Sequence, residues 1–521
     1  VTLSPAAIAQ QEPNREALVF SARRWTYGEL DRFSAQLAAL LWHRGLKQGD
    51  VVALLISNRP EFLACAWAAQ RSGLYYLPLP TKLTASEIRY ILEDSGARAL
   101  IISPDLGQAG SEASKDLDLL CYGLDDGGGF EPLVESFGAY DMPPAVEGGD
   151  MLYTSGTTGR PKGVRRPLSG EAVGSDKKRV ERGEKLFGFG PDTVFLSPAP
   201  LYHAAPLRFA MNLLRTGAKI VGMPRFDPAE ALRLIRAENV THSQWVPTMF
   251  TRLLALSDDE RQLPHISSHC CAIHAGAPCP PSVKRAMIDW WGPILSEYYS
   301  GTESVGFTHI TSAEWLEHPG SVGRAFGCTI HILDEQGTEL PAGATGDVYF
   351  EGKSDLEYHN DPEKTRSAKT ARGWATMGDI GHVDEEGFLY LTDRKNFTVI
   401  SGGVNVYPSE VEAALMEHAA VRDCAVFGLP DPDLGEVVAA VVECDGASGP
   451  HDIALANRIL ADLRSTLAGP KRPRLWRFDS IGRTETGKVQ KQKLRDASQQ
   501  AGRMIDLRNQ HGKAANSGSN Q

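Results

Sequence analysis

The chain has little of what marks several large protein classes. Its 521 residues include eight cysteines, and Cys65, Cys121, Cys270, Cys271, Cys279, Cys328, Cys424 and Cys444 form no Cys-x-x-Cys pair. A disulfide scaffold or thiolate zinc site is therefore not indicated, and reduced thiols in the cytoplasm are expected. No run approaches the ~20 apolar residues of a membrane-spanning helix, so no integral membrane contact is expected. Val1 to Glu12 has no basic segment followed by an apolar core, so no secretory signal is read there. Positive charge is in deficit: 54 Lys and Arg against 65 Asp and Glu leave a net charge of −11. That excludes a general nucleic-acid binder, whose phosphate contacts need a basic surface. Internal repeats are absent.

What is present is an ordinary globular composition, 42% hydrophobic and 23% charged, long enough for about three or four units of ~150 residues. Apolar strand-like runs at 51–57, 75–80, 98–103, 218–224, 240–246 and 269–275 alternate with helix-like segments such as 60–72. Thr84 with Glu87 three residues later is a capping-box start. Asp227-Pro228 supplies a cap and a first-turn proline. This rhythm implies parallel sheets covered by helices. Beyond residue 320 the pattern changes to short antiparallel strands at 329–333 and 346–351, then to an α+β pattern with helices over 409–418 and 452–467 and strands over 423–428 and 436–444. Ser409 and Glu412 have capping-box spacing.

Four motifs carry chemistry. In the first, Tyr153-Thr154-Ser155-Gly156-Thr157-Thr158-Gly159-Arg160-Pro161-Lys162-Gly163-Val164, glycines let backbone N–H groups converge on an anion while hydroxyls and a lysine add donors and charge. It lacks the Gly-Lys-Ser/Thr spacing of a Walker loop. The second, Tyr298-Tyr299-Ser300-Gly301-Thr302-Glu303, offers an aromatic face and oxygen ligands suited to Mg²⁺. The third joins Gly378-Asp379, Thr392-Asp393-Arg394-Lys395 and Ser401-Gly402-Gly403-Val404-Asn405-Val406-Tyr407-Pro408; a buried Asp commonly accepts from ribose hydroxyls. The fourth, Thr484-Glu485-Thr486-Gly487-Lys488, places a lysine on a turn. His265 and His269 have the spacing of a helical metal pair, but their neighbours read as the approach to a strand.

In order, spacing and wording, these four motifs resemble the adenylate-forming superfamily of acyl-CoA synthetases, aryl-CoA ligases, peptide-synthetase adenylation domains and luciferases. The resemblance runs from Thr26-Tyr27-Gly28-Glu29-Leu30 to Lys488. It implies an α/β protein with a large N-terminal domain, 1–394, of parallel-type sheets plus a small β-barrel-like subdomain. A small mobile α+β domain, 395–509, and a disordered tail, 510–521, follow. It also implies that Thr154, Ser155, Gly156, Thr157, Thr158, Gly159 and Lys162 hold ATP phosphates. Tyr299 and Gly276-Ala277-Pro278 flank adenine, with Ser300 beside them. Thr302 touches the α-phosphate, and Glu303, with Thr154, binds Mg²⁺. Asp379 and Arg394 take the ribose. Lys488 bridges carboxylate and α-phosphate, and Gly402-Gly403 line a pantetheine channel for coenzyme A. His203 and Ala204, beside Ala205, and Trp245 are candidate walls of the acid site, although His203 reads equally as a packing histidine.

Three positions depart from the family wording: Asn396 at the hinge, Ser300 after the adenine tyrosine, and Met377 before Gly378-Asp379. None removes a charged catalytic group. The expected activity is conversion of a small-molecule carboxylic acid, hydrophobic and larger than acetate, to its CoA thioester by a monomer or homodimer. Loading of a carrier protein is the alternative. A non-catalytic sensor would have lost charged groups, whereas Glu303, Asp379, Arg394 and Lys488 are all present. Lys471, Arg472, Arg474 and Arg477 form a basic stretch open to two readings, a contact for CoA phosphates or a solvated face.

Overall fold

The structure is a computed structural model that describes residues 4–124, 143–154, 161–261, 267–352, 355–444, 447, 449–464, 466–484, 488–501 and 504–507. The chain forms two compact units. One comprises Val1–Pro319, Gly323–Cys328 and Glu351–Ala375; the other comprises Gly320–Val322, Thr329–Phe350 and Thr376–Gln521.

The first unit is built on two sheets. In one, Val51–Leu55, Tyr75–Pro78, Ala97–Ile102, Leu120–Gly123 and Gly149–Thr154 pair in parallel, and Lys162–Arg165 and Glu357–Tyr358 extend it antiparallel. In the other, Glu16–Phe20, Lys219–Gly222, Val194–Ser197, His242–Trp245, Cys271–His274 and Leu295–Tyr299 run parallel in that spatial order. Antiparallel Thr308–Thr311 and Gly323–Ala325 follow. The strand–helix rhythm in the sequence is thus the parallel architecture. Five strands are shorter than their apolar runs: 51–57 contracts to Val51–Leu55, 75–80 to Tyr75–Pro78, 218–224 to Lys219–Gly222, 240–246 to His242–Trp245 and 269–275 to Cys271–His274.

Local chemistry explains the helix starts. Thr84 caps Ala85–Ser95 by accepting from the Glu87 N–H, while the Glu87 carboxylate accepts from the Thr84 N–H; the helix stops at Gly96, whose φ is +63°. Asp227 caps Pro228–Ala237. Pro60–Gln70 is apolar all round apart from Glu61 and Gln70, and every residue of it is buried, as expected for a helix covered on all sides. Glu61, fully buried, is matched by Arg59 at 2.8 Å and by Arg23.

In the second unit, Gly346–Glu351 pairs antiparallel with Asp379–Val383, which pairs antiparallel with Phe388–Arg394. A further sheet holds Val399–Ser401, Val404–Val406, Val421–Asp431, Gly435–Cys444, Leu475–Phe478 and Ile505–Asp506. Its core gathers Val406, Val411, Leu415, Val438, Ile459 and Trp476. The Pro408–Met416 helix corrects one expectation. Tyr407, not Ser409, is its N-cap, and no side chain caps it. Pro408 in the first turn starts the helix before Ser409, and tertiary partners claim both residues of the expected box. The Ser409 hydroxyl donates to the Thr392 carbonyl and its N–H to Asp393 at 2.8 Å. Glu412 is half-buried, accepts from the Val426 N–H at 2.7 Å and pairs with Lys491 at 2.8 Å.

Candidate active site

Four adjacent parallel strands of the second sheet deliver the nominated residues between 203 and 303 from their carboxyl ends, where open α/β sheets bind ligands. Val194–Ser197 leads to His203 and Ala204, His242–Trp245 ends at Trp245, Cys271–His274 leads to Gly276-Ala277-Pro278, and Leu295–Tyr299 leads to Ser300, Thr302 and Glu303. Gly276, with φ of +90°, turns the chain as it leaves the sheet. Tyr299 is half-buried and stands opposite Thr308 in the ladder. The Ser300 hydroxyl donates to the Gly306 carbonyl at 2.7 Å, bracing the turn from within.

Glu303 is half-exposed, and its Oε1 accepts from the Tyr358 hydroxyl at 3.0 Å. On either side of it, the Thr302 carbonyl and the Ser304 hydroxyl accept from Arg208 at 3.1 and 3.0 Å. Arg208 is also bound by Asp150 at 2.6 Å. Burial pushes the Asp150 carboxyl upward, but the charges of Arg208 and Arg166 prevail and hold it at about 2.

Thr154 ends the Gly149–Thr154 strand and stands opposite Lys162, which begins the returning strand. Ser155, Gly156, Thr157, Thr158 and Gly159, between them, lie outside the described residues. Lys162 Nζ meets Asp361 at 2.5 Å, and the hydrogen bond from Lys162 holds the Asp361 carboxyl below its ordinary value. Among the described residues no group of three or more His, Cys, Asp or Glu could hold a metal ion. A lone carboxylate with hydroxyl oxygens nonetheless fits Mg²⁺, which commonly takes one or two carboxylates and completes its shell with phosphate and water. His269 is buried and shares a 2.7 Å hydrogen bond with Ser243; His265 lies outside the described residues.

His203 is the N-cap residue of the Ala204–Leu213 helix, its ring 4.5 Å from that of Tyr202. Trp245 is 1% exposed, donates from its indole N–H to Ser243 at 2.6 Å, and packs among Phe226, Phe250 and Trp291. These contacts make it a core residue.

In the second unit, Asp379 and Arg394 are register partners across an antiparallel ladder, and Arg394 Nε lies 3.1 Å from Asp379 Oδ1. Gly402 and Gly403, with φ of +59° and +79°, form the two-residue turn between Val399–Ser401 and Val404–Val406. Two successive positive φ values are the signature of a type I′ hairpin, which glycine adopts without strain. Lys488 is exposed; its N–H donates to the Thr484 hydroxyl at 3.0 Å and its carbonyl accepts from the Thr484 N–H at 3.0 Å. Of the basic stretch, Lys471 pairs with Glu410 at 2.6 Å, Arg477 pairs with Asp479, and Arg472 donates to the Leu467 carbonyl at 2.8 Å.

Residues 6–355 match the family described as AMP-binding enzyme, and residues 410–488 match the AMP-binding enzyme C-terminal domain. The chain belongs to the AMP-binding enzyme family. It is an adenylate-forming ligase of the acid–thiol type. A 2-succinylbenzoate–CoA ligase of Bacillus pumilus is 31% identical, over 93% of this chain and 95% of that protein. A long-chain-fatty-acid–CoA ligase, FadD13, of Mycobacterium tuberculosis is 31% identical over 95% and 96%. The crystal structure of ATP-bound MatB from Rhodopseudomonas palustris superposes with a TM-score of 0.81 at 30% identity, covering 96% of this chain and 99% of that one. Two relatives at equal identity carry names with very different acids, so similarity alone does not identify the acid of this ligase.

Sequence reading missed Arg208, Asp150, Arg166 and Tyr358. A signal existed for Arg208: it is the one charge in the helix Ala-Ala-Pro-Leu-Arg-Phe-Ala-Met-Asn-Leu.

Proposed function

We propose that this ligase is an AMP-forming acyl-CoA synthetase acting in the cytoplasm. The carboxylate attacks the α-phosphate of ATP, forming an acyl-adenylate and releasing pyrophosphate. The sulfur of CoA then attacks the acyl carbonyl, forming the thioester and releasing AMP. The observation that carries this reading is the survival of every charged group the two steps need: Lys162, Glu303, Asp379, Arg394 and Lys488.

The first step brings two anions together. Donors from 154–162 grip the β- and γ-phosphates, Thr302 meets the α-phosphate, and Lys488 bridges it to the carboxylate. Such pre-placed donors act where charge grows, and removing one costs about 3 kcal/mol, or 10²–10³ in rate. Mg²⁺, held through Glu303 and Thr154, supplies neutralisation of phosphate charge when bound. Tyr299 and Gly276-Ala277-Pro278 flank adenine, with Ser300 bracing the tyrosine's strand end, and Asp379 with Arg394 fixes the ribose. The functional boundary falls between Arg394 and Lys395. The part beyond it moves about Asn396 between the two steps, withdrawing Lys488 and presenting Gly402-Gly403 to pantetheine.

The acid is hydrophobic and aliphatic, aromatic or cyclic, walled by His203 and Ala204. Product analysis tests the reaction. Acid, ATP, Mg²⁺ and CoA are expected to yield AMP, pyrophosphate and a thioester in equal amounts. ADP and phosphate instead would move the attack to the γ-phosphate and overturn the reading.

A further inference from the structure

Arg208 joins three segments that carry proposed site residues. Its Nε and Nη2 hold Asp150 at 3.0 and 2.6 Å, on the strand that runs into the phosphate loop. Its Nη1 donates to the Thr302 carbonyl and the Ser304 hydroxyl, at 3.1 and 3.0 Å, on the two sides of Glu303. Its own helix begins at Ala204 on the acid side, and residues four apart share a helix face.

The turn needs this support. Ser304 has φ of +52°, a left-handed conformation that costs a non-glycine residue free energy and persists only where surroundings enforce it. Its N–H closes on the Gly301 carbonyl at 3.0 Å, and its hydroxyl accepts from Arg166 at 3.1 Å as well as from Arg208. Asp150 is 9% exposed and stays ionised beside Arg208. The guanidinium therefore presents hydrogen-bond donors to the turn while its charge is balanced by a carboxylate on its other edge. A planar fork can make these contacts at once; a lysine ammonium cannot.

We propose that Arg208, anchored by Asp150, is a positioning residue for adenylation: it fixes the turn that presents Glu303 and ties that turn to the acid-side helix and the phosphate-loop strand. The proposal rests on the reading of Glu303 as the Mg²⁺ ligand. Groups that orient a metal ligand from behind typically affect metal affinity or activity by about 10- to 100-fold. The two-sided anchorage of Glu303 predicts a Mg²⁺ effect rather than a general loss of nucleotide binding.

The experiment is a Mg²⁺ titration of pyrophosphate release at saturating ATP and acid, on the full-length enzyme. Arg208→Lys keeps the charge beside Asp150 but loses the fork. Ser304→Gly relieves the backbone strain, so the fold is retained, and deletes the hydroxyl that both arginines grip. Each is expected to raise the Mg²⁺ midpoint about tenfold, while metal-free AMP affinity, read by calorimetry, stays within about twofold. Glu303→Gln is run in parallel. If it leaves the midpoint unchanged, the metal reading itself fails. If it raises the midpoint while Arg208→Lys and Ser304→Gly do not, the positioning proposal alone is overturned. An Arg208→Lys protein that melts earlier with an unchanged Mg²⁺ midpoint marks Arg208 as a purely structural ion pair and overturns it too.

Discussion

Replacing Asp379 with Asn isolates the ribose contact, because it keeps the shape of the side chain and removes its charge. The Asp379 side chain is 8% exposed, whereas Arg394, 3.1 Å away, is 58% exposed. An ion pair with so exposed a partner contributes about 0–1 kcal/mol to folding, so the variant is expected to fold. The loss in nucleotide recognition is larger. A carboxylate accepts from hydroxyls without offering a competing donor, and a hydrogen bond to a charged group contributes about 1.5–3 kcal/mol. Losing one such contact lowers kcat/KM for ATP by about 10- to 150-fold. The ribose is held in both ground and transition states, so kcat at saturating ATP changes far less than KM. The assay is pyrophosphate release against ATP concentration, with AMP affinity measured by calorimetry; both are expected to shift by the same factor. A folded Asp379→Asn enzyme with kcat/KM for ATP and AMP affinity within about twofold of the parent would refute the ribose assignment.

Lys488→Ala is expected to block adenylation yet spare CoA attack on supplied acyl-adenylate, and Gly403→Leu to do the reverse; equal loss of both steps in both variants, measured as single half-reactions, rejects the domain-rotation account. His203→Ala is expected to raise KM for the acid at least about threefold while KM for ATP stays within about twofold, the pattern of a group that touches only the acid; matched changes in both would assign His203 to packing. His269 gives a pH signature. Burial holds its imidazole at about 3, whereas the unfolded residue titrates near 6.5. The unfolded state therefore binds the extra proton across that interval, and the stability is present above about pH 6.5 and lost as pH falls toward 3. Between pH 7.5 and 5.5 this one residue accounts for roughly 1.4 kcal/mol of lost stability. His269→Asn, compared with the parent by urea unfolding at both values, is expected to lose that much less; an identical loss in both proteins contradicts the buried neutral histidine.

What the sequence made legible was local, and what it concealed was distant. Thr84 with Glu87 and Asp227 with Pro228 act within one turn of helix, and both starts appear where their spacing places them. Ser409 and Glu412 have the same spacing but meet stronger partners: Thr392 and Asp393 take Ser409, and Lys491 and the Val426 N–H take Glu412. Capping statistics carry no knowledge of such competitors. The motif residues could be nominated because each piece of a motif is contiguous in the chain. The Asp150–Arg208 pair spans 58 residues and the Tyr358–Glu303 bond 55; nothing in one segment announces the other. Trp245 shows the opposite error. An aromatic near a site motif invites a substrate role, but the ring is packed in the core and its N–H is already bonded.

The account's central claim is adenylation followed by transfer to CoA. The most direct measurement is pyrophosphate and AMP release across a panel of carboxylic acids, with and without CoA, with mass analysis of the acyl product. The account predicts that hydrophobic acids larger than acetate drive pyrophosphate release, that CoA makes turnover continuous, and that the acyl group is recovered as its CoA thioester with one AMP each. Adenylation that CoA neither accelerates nor converts to thioester, with the acyl group passing instead to a carrier-protein thiol, would contradict it.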